Sequence, residues 1–282
     1  MEESKKLIVV PWDFTQVAEY ALAHAVKISR MVGNNICLLH IINKGINLAE
    51  EKGTHQKLQR IIEENSAKYN VVITWATVKG SIFTSIADFA NDKDASLVVM
   101  GTHGRKGMQK VTGSWALKVI VKSKVPFIVV QEPPADQERY HNIVFPIDFR
   151  AENKEKMKMA IFMGKYFDSK VHLLVTKTGD AMLAKKTKIN LNFGIKYLIQ
   201  NNIEYEIHET PKGNSAQQTL DFAASINADL ILIVTTKNIS FADYVIGASE
   251  QYMIANSSKI PVCCVNPMAS FASVSQFMGG WA

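Results

Sequence analysis

The chain contains one long internal duplication, and this feature constrains its fold more than any other. Residues Leu7–Phe14, which read LIVVPWDF, return 135 positions later as Asn142–Phe149, which read NIVFPIDF. Further along, Leu97–Met100 return as Leu230–Ile233 at an offset of 133, so the order is kept with small insertions and deletions. A period of this length indicates a whole domain copied in tandem, because solenoid repeats are only about 20–45 residues long.

Within each copy, short apolar runs alternate with longer segments whose apolar residues recur at helical spacing, such as Ala18–Met31 and Ile82–Asn91. The apolar runs of the first copy are residues 7–11, 36–42, 71–77, 97–100 and 126–130. Strands that are apolar on both faces and separated by helices predict a parallel sheet covered on both sides. The predicted fold class is therefore α/β, with two tandem, doubly wound, parallel five-stranded sheets.

The length of 282 residues fits two domains of about 150 residues each. Between the copies, Gln131–Glu138 combines two prolines with charged residues, a composition that a core strand excludes. The sequence therefore predicts a first domain at residues 1–132, a linker at 133–140, a second domain at 141–268 and an apolar tail at 269–282.

The last predicted strands of the two copies, Phe127–Val130 and Val262–Val265, are both apolar. Pairing two such strands removes two exposed sheet edges at once. We therefore expect the copies to pack edge to edge as a pseudo-dimer, and the sequence also allows further association into a homodimer.

Composition and charge exclude several function classes. No apolar stretch approaches the roughly 20 residues that cross a bilayer, and the amino terminus, MEESKK, is too acidic for a signal peptide. We expect a cytoplasmic protein with no membrane partner. The net charge of +6 comes from lysines spread along helices, such as Lys154–Lys158 and Lys185–Lys188, which are typical of solvated faces. Because no nucleic-acid-reading motif accompanies them, we expect no nucleic-acid partner.

The three cysteines, Cys37, Cys263 and Cys264, lie within apolar runs. Their positions offer neither a CxxC pair nor the spacing of metal ligands. The sequence therefore predicts buried thiols.

In an open parallel sheet, ligands bind beyond the carboxyl ends of the strands. The fourth strand of the first copy ends in Met100–Gly107 (MGTHGRKG), and Gly113-Ser114 then opens a predicted helix. Glycines let backbone amides approach phosphate oxygens, and a helix amino terminus adds partial positive charge. The pattern has a second interpretation, in which the glycines only make turns and Ser114 only caps the helix.

The first two strands also end in candidate ligand-binding residues. Pro11-Trp12-Asp13 brings a carboxylate that could accept a hydrogen bond from ribose hydroxyls, although capping of the next helix is an equal alternative. At the end of the second strand, Ile41 could frame a purine ring, whereas a lone histidine such as His40 is more often structural.

Taken together, the motifs VPWDF at residues 10–14, LLHI at 38–41 and MGTHG at 100–104 followed by Gly113-Ser114 resemble the universal stress protein family, as a tandem pair covering nearly the whole chain. The resemblance implies a Rossmann-like fold of the adenine nucleotide alpha hydrolase type that binds ATP. A divalent cation such as Mg²⁺ could screen the repulsion between Asp13 and the phosphates. The resemblance places Pro11–Asp13 and Ile41 beside the base and ribose. The phosphates are expected to lie among Gly101, Gly104, Gly113 and Ser114. The nucleotide contacts expected on this basis are Pro11, Trp12, Asp13, Ile41, Met100, Gly101, His103, Gly104, Gly113, Ser114 and Trp115.

Two departures from the family's pattern stand out. In the first copy, the segment Arg105–Thr112 is one residue shorter than the family's phosphate-binding loop. In the second copy, Val234 replaces Gly101, and Gly247-Ala248 replaces Gly113-Ser114. A residue with a side chain would be strained in a left-handed conformation and would add bulk near the phosphates. We therefore expect ATP in the first copy only.

Three functions remain open on the sequence alone. The first is a stress-response or signalling protein that binds an adenine nucleotide without dedicated catalysis and acts on an unidentified protein partner. The second is an interaction module with a vestigial pocket, which the short loop and the degenerate second copy favour. The third is a slow ATPase. The sequence does not favour it, because the chain contains no P-loop, no GxGxxG fingerprint and no identifiable nucleophile.

Overall fold

The protein is described by a computed structural model over residues 6–102, 113–135, 139–235 and 248–267, apart from the side chains of residues 113–115 and 248. Within these ranges the chain forms two units of the same design. The predicted tail at 269–282 and the linker residues 136–138 lie outside the described residues.

The first unit alternates strands and helices in the predicted order. Its elements are β1 (Leu7–Pro11), α1 (Gln16–Val32), β2 (Asn35–Ile42), α2 (Leu48–Tyr69), β3 (Ile73–Lys79), α3 (Ile82–Asp92), β4 (Leu97–Gly101), α4 (Gly113–Ile120) and β5 (Phe127–Val130).

The second unit repeats this order. Its elements are β6 (Asn142–Ile147), α5 (Asn153–Phe167), β7 (Lys170–Thr176), α6 (Ala181–Gln200), β8 (Tyr205–Thr210), α7 (Ser215–Ser225), β9 (Leu230–Val234), α8 (Ala248–Ile254) and β10 (Val262–Val265).

Local sequence signals fix several helix ends. Asn47 begins α2 with a capping box, in which its side chain accepts from the amide of Glu50 and the Glu50 carboxylate accepts from the amide of Asn47. Gly33 ends α1 in the left-handed conformation, with φ of 74°, which glycine adopts without steric cost. These caps satisfy backbone groups that a helix end would leave unpaired.

All ten strands belong to one sheet, in the order β3-β2-β1-β4-β5-β10-β9-β6-β7-β8. Neighbouring strands within each unit are parallel, whereas β5 and β10 pair antiparallel, with Ile128 opposite Cys263. The predicted α/β class with two doubly wound, five-stranded parallel units is confirmed. The structure adds that the two sheets are continuous through the β5–β10 pair.

Alternating residues of each strand face opposite sides of the sheet, as the two-residue period of a strand requires. In β1, Ile8 and Val10 pack on the side covered by α1 and α5, while Val9 packs on the side covered by α4 and α8. All three cysteines are buried, as predicted, and burial raises the pKa of each thiol. Among the described helices, none combines the length and apolar character of a membrane span.

Polar contacts also join the two units. His24 on α1 is 2% exposed, and its ring nitrogens lie 2.7 Å from the hydroxyl of Tyr140 and 3.2 Å from the carbonyl of Glu132. Burial lowers the pKa of His24 to about 4, so the ring is neutral near pH 7. On the other side, the Asn266 amide donates to the carbonyls of Ile120 and Val121 at 3.3 and 2.6 Å.

Candidate functional site

A cleft of about 120 Å³ opens in the first unit at the carboxyl ends of β1, β2 and β4. Pro11 and Asp13 line it from β1, Ile41 from β2 and Gly101 from β4. Apolar side chains from α1, α3 and α4 complete its walls, among them Val17, Ala18, Ile82, Ile86, Ala116 and Val119. The cleft lies where an open parallel sheet normally binds ligands.

Asp13 supplies an exposed carboxylate at the edge of this cleft. Its Oδ1 accepts from the backbone amide of Thr15 at 3.1 Å and from the Thr15 hydroxyl, so one oxygen fixes the turn that leads into α1. Its Oδ2 has no hydrogen-bond partner in the part of the chain that the structure describes. The capping alternative and the ligand alternative are therefore compatible, because each uses a different oxygen.

The turn after β1 carries unusual backbone geometry. Phe14 has a positive φ of 63° without being glycine, and its ring lies 4.9 Å from that of His40. His40 donates from Nδ1 to the carbonyl of Trp12 at 2.7 Å, and the amide of Trp12 donates to the carbonyl of Leu39 at 2.8 Å. His40 thus has the structural role that the sequence favours, because its contacts hold the turn with Phe14 in the sparsely populated left-handed conformation.

Trp12 occupies the boundary between core and cleft. Its side chain is only 4% exposed and belongs to the apolar core on the α1 side of the sheet, although it also lines the cleft. Its indole Nε1 is buried without a partner among the described residues. A buried N–H of this kind costs free energy unless an acceptor is supplied.

Gly101 owes its identity to helix packing. A Cβ at this position would lie 2.2 Å from the carbonyl oxygen of Val17, at the start of α1. Among the described glycines, only Gly33 and Gly213 have positive φ, so the expectation of a left-handed conformation at Gly101 is wrong. The glycine lets α1 approach β4 closely, and the lack of a side chain also leaves the cleft open at this strand end.

The remaining predicted contacts cluster after β4. Helix α4 begins at Gly113, as the sequence predicts, and Ser114 and Trp115 form its first turn. His103 and Gly104 lie outside the described residues, as do the side chains of Ser114 and Trp115. The structure brings Pro11, Trp12, Asp13, Ile41, Met100 and Gly101 together around one cleft.

The corresponding region of the second unit has different chemistry. A larger cavity of about 310 Å³ lies beside Asp148, the counterpart of Asp13. The guanidinium of Arg150 donates to Asp148 Oδ2 at 2.7 Å and to Glu250 Oε1 at 3.2 Å. Burial alone would raise the pKa of Asp148, but the charges of Arg150 and Lys156 lower it overall. Ion pairs therefore surround the position equivalent to Asp13, whose Oδ2 has no partner within the described ranges.

Lys156 corrects one sequence-based expectation. The run Lys154–Lys158 was expected on a solvated face, yet Lys156 is 2% exposed and lines the second cavity. Its Nζ donates to the carbonyl of Pro146 and lies 4.3 Å from the centre of the Phe145 ring. Helical spacing carries the signal that was missed, because Lys156 lies three and four positions from the buried Met159 and Ala160.

Comparison with known proteins agrees with this geometry. Residues 5–131 match the sequence model of the universal stress protein family. Two universal stress proteins of Methanocaldococcus jannaschii, MJ0531 and MJ0577, are 26% and 25% identical over 147 and 153 residues, which cover 47% and 45% of this chain and 85% and 94% of theirs. The crystal structure of a universal stress protein from Archaeoglobus fulgidus DSM 4304 covers 92% of this chain and 96% of its own, with a TM-score of 0.74 and 18% identity.

Fold and site together define a doubly wound α/β protein with its cleft at the carboxyl ends of the strands. The first unit is similar in sequence to the universal stress protein family, and the chain carries two units of one fold in tandem. The family match covers the first unit, and the second unit repeats its strand order.

Proposed function

We propose that the first unit binds one adenine nucleotide, ATP, in the cleft at the ends of β1, β2 and β4. One observation carries the proposal: this cleft has apolar walls, a carboxylate oxygen of Asp13 at its edge that has no partner among the described residues, and helix α4, which begins at Gly113, along one wall. Apolar walls suit a purine ring, a free carboxylate oxygen suits ribose hydroxyls, and a helix amino terminus suits phosphates.

The proposed pose assigns each part of the nucleotide to one region. The base lies against Ile41 and Met100, and the ribose lies at Asp13. The phosphates lie along the segment from Gly101 through His103 and Gly104 to Gly113, Ser114 and Trp115, where backbone amides donate to them. Mg²⁺ would reduce repulsion between Asp13 and the phosphates.

We further propose that the second unit, residues 141–268, does not bind ATP. Val234 fills the strand end at which Gly101 leaves space, and Arg150 links the carboxylates of Asp148 and Glu250. A ribose hydroxyl would have to displace a charge-assisted hydrogen bond to reach Asp148. The expected stoichiometry is therefore one nucleotide per chain.

Calorimetric titration of the nucleotide-free full-length chain with ATP and Mg²⁺ tests the proposal. ATP at 100 times its dissociation constant should stabilise the fold by about 2.7 kcal/mol, so a thermal melt in the same buffer gives an independent readout. No heat and no change in melting temperature at millimolar ATP would favour the alternative function, an interaction module with a vestigial pocket.

A matched pair of variants locates the nucleotide. Ile41→Glu places a charge where the base should lie, and Thr176→Glu makes the same change at the equivalent position of the second unit. We expect Ile41→Glu to weaken ATP binding by at least about tenfold, since burying an unpaired charge is costly, and Thr176→Glu to leave it unchanged. Loss of ATP binding in Thr176→Glu but not in Ile41→Glu would place the nucleotide in the second unit and contradict the proposal.

The proposed role is non-catalytic, with a cytoplasmic location and an unidentified protein partner. A steady-state phosphate-release assay separates this role from that of a slow ATPase. Multiple turnovers that disappear in both Asp13→Ala and His103→Ala would establish the enzymatic alternative, whereas binding without turnover supports a nucleotide-responsive stress or signalling protein.

A further inference from the structure

Three potential metal ligands meet on the two outer strands of the second unit, away from both clefts. His172 Nδ1 lies 3.1 Å from His208 Nε2, and these atoms lie 4.0 and 3.8 Å from the two carboxylate oxygens of Glu206. One ligand atom from each residue falls within 4.8 Å of the other two. We propose that His172, Glu206 and His208 form a binding site for Zn²⁺.

Strand register produces this arrangement. His172 on β7 pairs with Glu206 on β8, and His208 follows two positions later on the same strand. Because residues two apart on a strand share one face, both histidines and the carboxylate project from the same side of the sheet. The equivalent positions of the first unit, paired in the same register, are Cys37, Thr74 and Ala76. The fold itself does not require the cluster, since the first unit forms without it.

The surroundings of His172 orient its ring for metal binding. Its Nε2 donates to the side-chain oxygen of Asn142 at 3.0 Å, which leaves the lone pair of Nδ1 directed toward His208 and Glu206. Metal-binding histidines commonly have this type of partner on the second ring nitrogen. Without metal, His208 Nε2–H donates to that lone pair. With metal, the proton of His208 moves to its Nδ1, and both rings offer a lone pair to the ion.

Lys170 lies beside the cluster and contacts one of the two carboxylate oxygens of Glu206, Oε2. Lys170 Nζ lies 2.9 Å from Glu206 and 3.4 Å from Glu204, so this lysine is shared between two carboxylates. Its hydrogen bond and charge lower the pKa of Glu206, and burial lowers the pKa of His172. The other carboxylate oxygen of Glu206, Oε1, faces His208 Nε2 at 3.8 Å, so the lysine and an ion would use different oxygens of Glu206.

The chemistry of the donor set selects the type of ion. Two imidazoles and one carboxylate favour Zn²⁺ and similar transition ions, whereas Mg²⁺ and Ca²⁺ prefer oxygen ligands alone. Phe222 of α7 covers the inner side, with its ring 4.5 Å from His208 and 6.1 Å from His172. Glu206 is exposed, so a water molecule can complete a tetrahedral coordination from the solvent side.

Binding of Zn²⁺ at this site would also stabilise the folded protein. Strand β8 is an outer strand of the sheet and pairs only with β7 among the described strands. An ion held by one residue of β7 and two of β8 would link this edge strand to its neighbour. We therefore expect Zn²⁺ to raise the melting temperature of the protein, since an ion that binds the folded state preferentially stabilises it.

The test uses the full-length, nucleotide-free chain prepared without a polyhistidine tag. Zn²⁺ is titrated calorimetrically, and Co²⁺ is added separately because it gives visible absorption bands when bound by nitrogen and oxygen ligands in a tetrahedral site. The expected result is saturation at one ion per chain for both metals. A titration without saturation would overturn the proposal.

Variants identify the ligands and separate metal loss from unfolding. His208→Gln and Glu206→Gln each remove one ligand, and we expect both to weaken Zn²⁺ binding by at least about tenfold and to abolish the Co²⁺ bands. His55→Gln is the matched control, because His55 is also half-buried, on α2 of the first unit, and it should bind as the wild type does. Glu206 is exposed, so its variant keeps the fold, which a metal-free melting curve verifies.

Equal affinity in wild type, His208→Gln and Glu206→Gln would refute the site even if one ion binds. Asn142→Leu gives an additional readout, because removing the partner of a ligating histidine typically lowers metal affinity about 10–100-fold. The outcome is independent of the ATP experiment, since the two proposed sites lie in different units and the titration contains no nucleotide.

Discussion

Lys156→Met should make the protein more stable at neutral pH. In the wild type, Lys156 is 2% exposed on α5, with its Nζ beneath the carbonyl of Pro146 and beside the ring of Phe145. Burial lowers its pKa from 10.5 to about 7, with Asp148 opposing this effect and Arg150 adding to it. Methionine has a similar length and shape but carries no charge to desolvate.

The expected magnitude follows from the pKa. One pKa unit corresponds to about 1.4 kcal/mol, so a protonated Lys156 costs the folded state about 5 kcal/mol. Between pH 7 and 10.5 the unfolded chain binds more protons at this residue than the folded chain does. The contribution of Lys156 to stability therefore rises through this window and is constant below pH 7. Loss of the hydrogen bond to Pro146 offsets about 1–3 kcal/mol, which leaves a net gain of about 2–4 kcal/mol at pH 7.

Urea denaturation of wild type and variant from pH 6.5 to 10 measures the difference directly. We expect the variant's advantage to shrink as the pH rises and to vanish or reverse near pH 10. Lys154→Met, on the exposed face of the same helix, is the control and should change stability by less than about 0.5 kcal/mol at every pH. A variant that is less stable at pH 7, by an amount independent of pH, would show that the reasoning about a desolvated charge is wrong.

Three further changes test other parts of the structure. His24→Gln should make the free energy of unfolding depend less on pH below 6.5, because the wild type loses up to about 3 kcal/mol at this residue as the pH falls from 6.5 to 4. Denaturation at several pH values measures the difference. Gly101→Val should cost about 1–3 kcal/mol of folding free energy and weaken ATP binding, because its Cβ would lie 2.2 Å from a backbone oxygen of α1. Gly45→Ala, whose Cβ meets nothing within 4 Å, is the control in thermal melts. Glu250→Gln should cost about 1–3 kcal/mol, because it removes the charge of a buried carboxylate that pairs with the partly exposed Arg150. Glu209→Gln, at an exposed pair, should cost under about 1 kcal/mol in the same urea assay.

Much of the fold could be predicted because the apolar runs carry strong, repeated signals. The run at residues 97–100 corresponds to β4 at Leu97–Gly101, and Gly113 begins α4 as its position before an apolar segment indicates. The third strand shows where such signals weaken. It was expected at residues 71–77 but lies at Ile73–Lys79, because this outer strand is only partly buried and its sequence, ITWATVK, lacks a continuous apolar run.

The clefts were harder to predict than the strands. Pro11, Asp13 and Ile41 meet in the first cleft because parallel strands end at one edge of the sheet, a rule that needs only strand order. By contrast, the need for glycine at position 101 comes from a nearby carbonyl oxygen of α1. The burial of Lys156 comes from its place on the inward-facing side of α5, although Lys154 of the same run is exposed. Both depend on packing between elements, which local patterns do not encode.

The histidine and carboxylate cluster illustrates the same limit over a longer distance. Glu206 and His208 alternate along a strand, which is a weak signal by itself, and His172 lies more than thirty positions earlier. Only the register between β7 and β8 brings the three together. A one-residue shift of that register would move Glu206 and His208 to the opposite face of the sheet relative to His172.

The antiparallel pairing of β5 with β10 also sets the direction in which the cleft of each unit opens. Since all strands within a unit run the same way, reversing direction at this pair makes the two sets of carboxyl ends point to opposite sides of the molecule. A nucleotide in the first cleft and a molecule in the second would therefore never touch. The strand pair at Phe127–Val129 and Val262–Cys264 joins the two sheets directly, so it is a place to mutate when looking for coupling between the clefts, together with the contacts of His24 and Asn266.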